Sequence, residues 1–267
     1  MTDTVSAENR LRNVLAGYGP LAIAVSGGVD SMTLATLAHR FLDTPPLMVH
    51  AVSPAVPGGA GDIVRSHAEA EGWSLRLLTA GEFDDPDYRA NPQDRCYFCK
   101  SNLYGAIAAA TGRVIASGTN LDDLSDYRPG LKAADEHRVV HPFVEARIDK
   151  EMIRALARRH DLSGFSEAPA QPCLSSRIET GIRIDADDLR FVDSLEQIIR
   201  TLAGPAAVVR VRVRTKGISV ETGGAIEADI LARIADEAGR YCQEHGRTFT
   251  GVVPYRQGSA FIAKKSA

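Results

Sequence analysis

Residues 21–25, Leu-Ala-Ile-Ala-Val, form a short apolar run that ends in Ser26-Gly27-Gly28. From Ser31 the apolar positions change to helical spacing, with Met32, Ala35, Leu37, Ala38 and Phe41. A buried strand, a glycine turn and a helix is the simplest reading. Residues 47–53, 74–78 and 113–117 read as further strands, with helical stretches near 60–71 and 95–110 between them. Strands alternating with helices predict a parallel sheet covered on both faces. The run from Arg138 to Val144 adds a candidate strand. Asp149 is placed to cap a helix carrying Met152, Ile153 and Leu156,.

After Pro169 the texture changes. Pro169, Pro172 and Gly181 punctuate a loop-rich stretch, and Asp185 then caps a helix with Leu189, Val192, Leu195, Ile199 and Leu202 on one side. Residues 207–214 alternate, so Val209, Val211 and Val213 take one strand face and Arg210, Arg212 and Arg214 the other,. A second strand (218–221), a helix (226–244) and a last strand (248–254) follow. The expected organisation is an α/β domain over residues 1–183 and a smaller α+β domain over 184–267.

Composition narrows the classes. Lysine plus arginine is 31 and aspartate plus glutamate 34, a net charge of −3 that disfavours a nucleic-acid partner,. No segment reaches the roughly 20 apolar residues of a membrane span. The first twenty residues lack a basic flank followed by an apolar run, so a reducing cytoplasm is expected. Four cysteines in 267 residues are too few for a disulfide framework,.

Ser26-Gly27-Gly28-Val29-Asp30-Ser31 sits where a strand delivers the chain to a helix. Two glycines let the backbone approach an anion, and the helix N-terminus favours phosphate. Ser26 and Ser31 add hydroxyls. The segment lacks the lysine of a Walker A loop, so a pyrophosphate cradle suits it better than a γ-phosphate grip. Asp30 faces either magnesium or pyrophosphate, or serves only as a first-turn carboxylate. Ser117-Gly118-Thr119-Asn120 follows another strand and is expected at the same sheet edge, where such sheets bind ligands.

The cysteines divide. Cys242 falls on the apolar stripe of helix 226–244 and reads as core,. Cys96 and Cys99 form Cys-x-x-Cys, and Cys173 stands alone in Pro-Cys-Leu-Ser-Ser-Arg. Three thiols are open to a zinc site short of one ligand, a redox pair, or an iron–sulfur cluster with one open iron.

SGGVDS resembles the PP-loop of the N-type ATP pyrophosphatases, whose adenine nucleotide alpha hydrolase-like fold is a parallel sheet with helices on both faces. CYFCK, GTNLDDLSDYRPG, PCLSSRI and the terminal Tyr255-Arg256-Gln257-Gly258-Ser259 together resemble LarE-type sulfur transferases over roughly residues 20–260. That resemblance implies ATP and Mg2+ at Ser26, Gly27, Gly28, Asp30, Ser31, Gly118, Thr119 and Asn120. It implies adenylation of a carboxylate on a pyridinium dicarboxylate mononucleotide, then conversion to a thiocarboxylate in nickel-pincer nucleotide biosynthesis. It implies Cys96, Cys99 and Cys173 as ligands of a 4Fe–4S cluster supplied by sulfide or another sulfur donor. The other route within the family has Cys173 as a sacrificial donor. A homo-oligomer is also implied.

Asp126 and Arg128 belong to the stretch that, by resemblance, helps hold nucleotide and substrate. Arg212 and Arg214 offer planar forks to substrate oxyanions and resemble the family's phosphate-binding pair, with Arg177 a further anion candidate. Glu221 is the weaker candidate for a metal or substrate contact. A tRNA thiolase and an ammonia-dependent amidating synthetase are the alternatives within the superfamily. The first is disfavoured by the charge and the second has no use for three cysteines. A non-catalytic nucleotide-binding regulator is the alternative outside it.

Overall fold

A first helix, α1 (Thr2–Ala16), buries Ala7, Leu11 and Leu15 at every fourth position,. β1 (Leu21–Ala24) then leads through the glycine turn into α2 (Val29–Phe41), and β2 (Leu47–Ala51), α3 (Ala60–Glu71) and β3 (Ser74–Leu78) repeat the alternation. A short α4 (Pro86–Arg89), capped by Asp85, precedes α5 (Arg95–Thr111) and β4 (Val114–Ala116). After α6 (Pro129–Glu136) and α7 (Pro142–Glu145), α8 (Lys150–Arg159) begins behind Asp149, whose carboxylate accepts the Met152 N–H at 2.8 Å. This computed structural model describes residues 2–125, 128–162, 164, 172–204 and 206–261.

The four strands form one parallel sheet in the order β3-β2-β1-β4. Side-chain alternation divides it between two cores. Leu21, Ile23 and Met48 face α1, α2 and α8, whereas Ala22 and Val49 face Tyr104, Ile107 and Ala134 of α5 and α6,. Helices therefore cover both faces, as the alternating pattern predicts. The expected strand at 138–144 does not form. Val140 makes a single bridge to Ala116, and Pro142, which has no N–H to donate, opens the helical turn of α7,.

Beyond residue 171 lie α9 (Ala186–Ala203), β5 (Val208–Arg214), β6 (Gly217–Gly223), α10 (Ala228–Glu244) and β7 (Phe249–Pro254). Asp185 caps α9 by accepting the Asp187 N–H. β6 is central, antiparallel to β5 and parallel to β7. Val209, Val211, Val220, Leu195, Ile199, Ile234 and Cys242 are buried. The chain divides into two compact units, residues 1–82 with 96–171, and residues 83–95 with 172–267. Among the described residues no helix is long and apolar enough to cross a membrane.

Candidate active site

In the first unit the strand order reverses between β1 and β4, the position at which open α/β sheets bind ligands,. The loop after β1 is tied by Ser31, whose Oγ donates to the Gly28 carbonyl at 3.1 Å and accepts the Ser26 N–H at 3.1 Å. Gly27 has a φ of 83°, and a Cβ there would stand 3.2 Å from the Ala60 carbonyl oxygen. Gly28 caps α2 without a side chain, which leaves first-turn N–H groups to another acceptor,.

The loop after β4 packs directly on this turn. A Cβ on Gly118 would lie 2.7 Å from the Ser31 nitrogen and 2.9 Å from the Asp30 carbonyl carbon. Glycine is the residue that lets these backbones meet. Beyond it, buried Asn120 accepts the Asp122 N–H on Oδ1 at 3.0 Å, and its own N–H donates to Asp123 Oδ2 at 3.1 Å. Ser117 Oγ lies 3.0 Å from Thr119 Oγ1 and 2.9 Å from His141 Nδ1. Burial holds the His141 imidazole below its usual pKa, which favours the neutral ring,.

Asp30 projects from the first turn of α2 onto Lys150, the first residue of α8. The ammonium lies 2.7 and 2.5 Å from the two carboxylate oxygens. The Lys150 N–H donates to Asp122 at 3.0 Å, so one residue joins both loops. Burial raises the Asp30 carboxyl above the usual range despite the lowering effect of Lys150. Asp123 adds to the rise and Arg154 opposes it. Lys150 is absent from the sequence-predicted site. Its local mark is weak: a cation at the first position of a helix is mildly opposed by the macrodipole, and nothing nearby in sequence names its partner.

Arg128 pairs with Asp123 at 2.8 Å. A Cβ on Gly130 would lie 3.0 Å from Lys100 Cγ and 3.6 Å from the Cys96 carbonyl oxygen, so this turn rests on the start of α5. Cys96 and Cys99 are half-buried there, one helical turn apart,. Asp126 lies outside the described residues.

In the second unit, Cys173 is exposed and caps a short 3-10 helix, Leu174–Arg177. Arg177 is buried. Its Nε and Nη2 donate to the two oxygens of buried Glu196 at 2.8 and 3.1 Å. Its Nη1 donates to the carbonyls of Pro172 and Cys173 at 2.8 and 3.2 Å. The Arg177 fork therefore holds the cysteine loop. Arg212 acts alongside it, donating to Glu221 at 2.9 Å and to the Ser176 carbonyl at 2.9 Å. Arg214 reaches the other Glu221 oxygen at 2.8 Å and Ser259 Oγ at 3.2 Å, with Glu179 at 3.5 Å. Glu221 thus bridges the two arginines, and Ser259 brings the terminal motif to them. Cys242 is fully buried, and burial pushes its thiol pKa up.

The donor chemistry can be set against the implied groups. Asp30 offers carboxylate oxygens of the kind magnesium prefers. The three thiols suit an iron–sulfur cluster in kind, and all four cysteines are outside disulfides. However, among the described residues no three Cys, His, Asp or Glu side chains converge in a metal-holding group. Cys96 and Cys99, one helical turn apart on α5, suit two thiolate ligands of such a group, and Cys173 offers a further exposed thiol,.

No known family model matches the chain. It is 37% identical over 216 residues to an uncharacterized protein of Synechocystis, covering 78% of this chain and 79% of that one. It is 30% identical over 231 residues to the pyridinium-3,5-bisthiocarboxylic acid mononucleotide synthase of Lactiplantibacillus plantarum, covering 85% and 82% of the two chains. The chain belongs to the PP-loop sulfur transferase superfamily. A tRNA-cytidine(32) 2-sulfurtransferase of Syntrophotalea carbinolica is also similar, at 26% identity over 179 residues, covering 60% of this chain and 68% of that one. PP-loop sulfur transferases use ATP and Mg2+, and in this chain the close approach of Gly118 to Ser31 brings the loops after β1 and β4 into one surface.

Proposed function

We propose that the protein adenylates a carboxylate of a pyridinium dicarboxylate mononucleotide with ATP and converts it to a thiocarboxylate, with Cys173 carrying the sulfur at the reacting centre. The observation that carries the proposal is Cys173 itself: its thiol is exposed while Arg177 holds its carbonyl. The similarity to the L. plantarum synthase supports the substrate class. A cluster on Cys96, Cys99 and Cys173 would supply an iron-bound sulfide as donor. No step below runs through such a group.

A carboxylate is a poor electrophile, because its leaving group would be oxide. Its oxygen attacks the α-phosphorus of ATP, the bond to the bridging oxygen of the β-phosphate breaks, and pyrophosphate leaves into the Ser26–Ser31 loop. The N–H groups of that loop and the Lys150 ammonium meet the charge that develops. The Cys173 thiolate then attacks the acyl carbon, and AMP leaves with the bonding pair and one former carboxylate oxygen. Transfer of the Cys173 Cα proton to solvent water then forms the Cα=Cβ double bond from the C–H pair and breaks the Cβ–S bond, so the thiocarboxylate leaves with the sulfur and dehydroalanine remains. Arg212 and Arg214, backed by Glu221, bind the nucleotide phosphate.

The test is turnover by the anaerobically purified full chain with ATP, Mg2+, sulfide and pyridinium-3,5-dicarboxylic acid mononucleotide. Pyrophosphate, AMP and the thiocarboxylate should appear together. Loss of one sulfur at Cys173 in the intact mass supports the route written above. Iron in the protein with many turnovers per chain supports the cluster. The similarity to a tRNA sulfurtransferase supports a second reading, and thiolated cytidine formed from tRNA in the same assay would favour it.

A further inference from the structure

We propose that Arg95 is an oxyanion receptor within the second unit, built to take the paired oxygens of a carboxylate or phosphate. Its guanidinium is 1% exposed. Nη1 donates to Asn91 Oδ1 at 2.6 Å. Nε and Nη2 are buried without a hydrogen-bond partner, and among the described residues no carboxylate pairs with this cation. A buried charged donor left unmatched is destabilising. The other deeply buried arginines of the same unit avoid that cost. Arg177 meets Glu196 and Arg212 meets Glu221.

The geometry identifies the missing acceptor. Nε and Nη2 form one edge of the guanidinium and donate in parallel. Arg177 turns this same edge on the two oxygens of Glu196. On Arg95 the same edge has no hydrogen-bond acceptor among the described residues. A two-oxygen anion fits that edge, whereas a single acceptor leaves one donor unmatched.

The edge is also held in place. Asn91 is fully buried, with a φ of 52°, and its amide donates to the carbonyls of Ile178, Glu179 and Ile182. Its Oδ1 is thereby fixed, and Arg95 with it. The Phe261 ring lies over the guanidinium, 4.4 Å from its carbon, and is itself 41% exposed, so one aromatic side chain stands between this part of the arginine and solvent,. Phe261 follows Ser259 and Ala260, which contact Arg214 and Thr180. The pyridinium substrate carries both anion types. Assigning the anion to that substrate rests on the proposed function, whereas the binding does not.

The test measures melting of the full chain with pyridine-3,5-dicarboxylate or inorganic phosphate, against sodium chloride at matched ionic strength. At least one probe should raise the wild-type melting temperature saturably. Response to the dicarboxylate alone assigns a carboxylate site, and response to phosphate alone a phosphate site. Arg95→Met should lose the response while melting, without ligand, no lower than wild type. Arg95→Lys keeps the charge but not the paired edge, and should bind about tenfold more weakly or worse. An unchanged response in Arg95→Met, no response beyond chloride in wild type, or a much lower melting point for Arg95→Met would overturn the proposal. A protein that binds the anion yet releases no pyrophosphate from ATP would refute the proposed function and leave this site standing.

Discussion

Lys150 grips both carboxylate oxygens of Asp30, at 2.7 and 2.5 Å, and so ties the first turn of α8 to the first turn of α2. Lys150→Met should reduce ATP-dependent pyrophosphate release about 100-fold or more, the scale of losing one preorganised charge donor. Its stability effect has a definite pH dependence. The folded pKa of Asp30 is already raised by burial, and removing the ammonium raises it further. Proton binding by the carboxyl therefore favours the folded state at acid pH, and that contribution is lost as pH rises through the folded pKa. The melting-point gap between wild type and Lys150→Met should be small at acid pH and widen toward neutrality. A constant gap would show that Lys150 acts on stability by another route.

Gly118→Ala places a methyl group 2.7 Å from the Ser31 nitrogen, so the backbone of one of the two loops proposed to hold ATP must retreat. A stability loss of about 1–3 kcal/mol is expected, with a larger loss of nucleotide affinity. ATP titration followed by calorimetry separates the two effects. Retained wild-type affinity would show that the loops do not act as one surface.

Arg177→Met strands the Glu196 carboxylate in the core of the second unit, with Arg200 and the Val211 N–H as its remaining partners. Urea unfolding should show a loss of about 3–5 kcal/mol. Adding Glu196→Leu should restore part of it, because the double variant carries no unpaired buried charge. A double-variant loss equal to the sum of the two single losses would indicate that the two residues are not energetically coupled.

Cys173→Ala should abolish thiocarboxylate formation while retaining ATP-dependent pyrophosphate release. Cys242→Ala removes a buried sulfur that has no part in the proposed chemistry, and should cost about 1–2 kcal/mol at unchanged turnover,. Product mass and calorimetric melting, measured on both variants, check this pair of outcomes.

Much of this fold was written in local pattern. The run Leu21–Val25 followed by glycines and helical spacing specified β1 and α2, and the caps at Asp149 and Asp185 fixed two helix starts. The α1 helix was overlooked although Ala7, Leu11 and Leu15 repeat at helical spacing, because acidic and polar neighbours dilute that stripe. Arg138–Val144 has strand-like residues, yet Pro142 and the Ser117–His141 contact turn it away after one bridge. At the candidate site the two glycine loops announced themselves by composition. Lys150 did not, because its partner lies 120 residues earlier. The Phe83–Arg95 segment joins the second unit through Asn91, whose carbonyl partners lie 87 to 91 residues later, beyond the reach of any local pattern.

At residue 173 the loop is held entirely through main-chain atoms: the carbonyl accepts Arg177 and the Ser176 N–H, and the thiol caps nothing. Loss of that sulfur on the proposed route would break none of these hydrogen bonds, and the change of geometry would be confined to the Cα of one residue. A molecule that has given up its sulfur should melt, elute and scatter like a fresh one. Preparations that look homogeneous by every measure of shape can thus be mixtures of spent and competent chains, and only their mass records which have reacted.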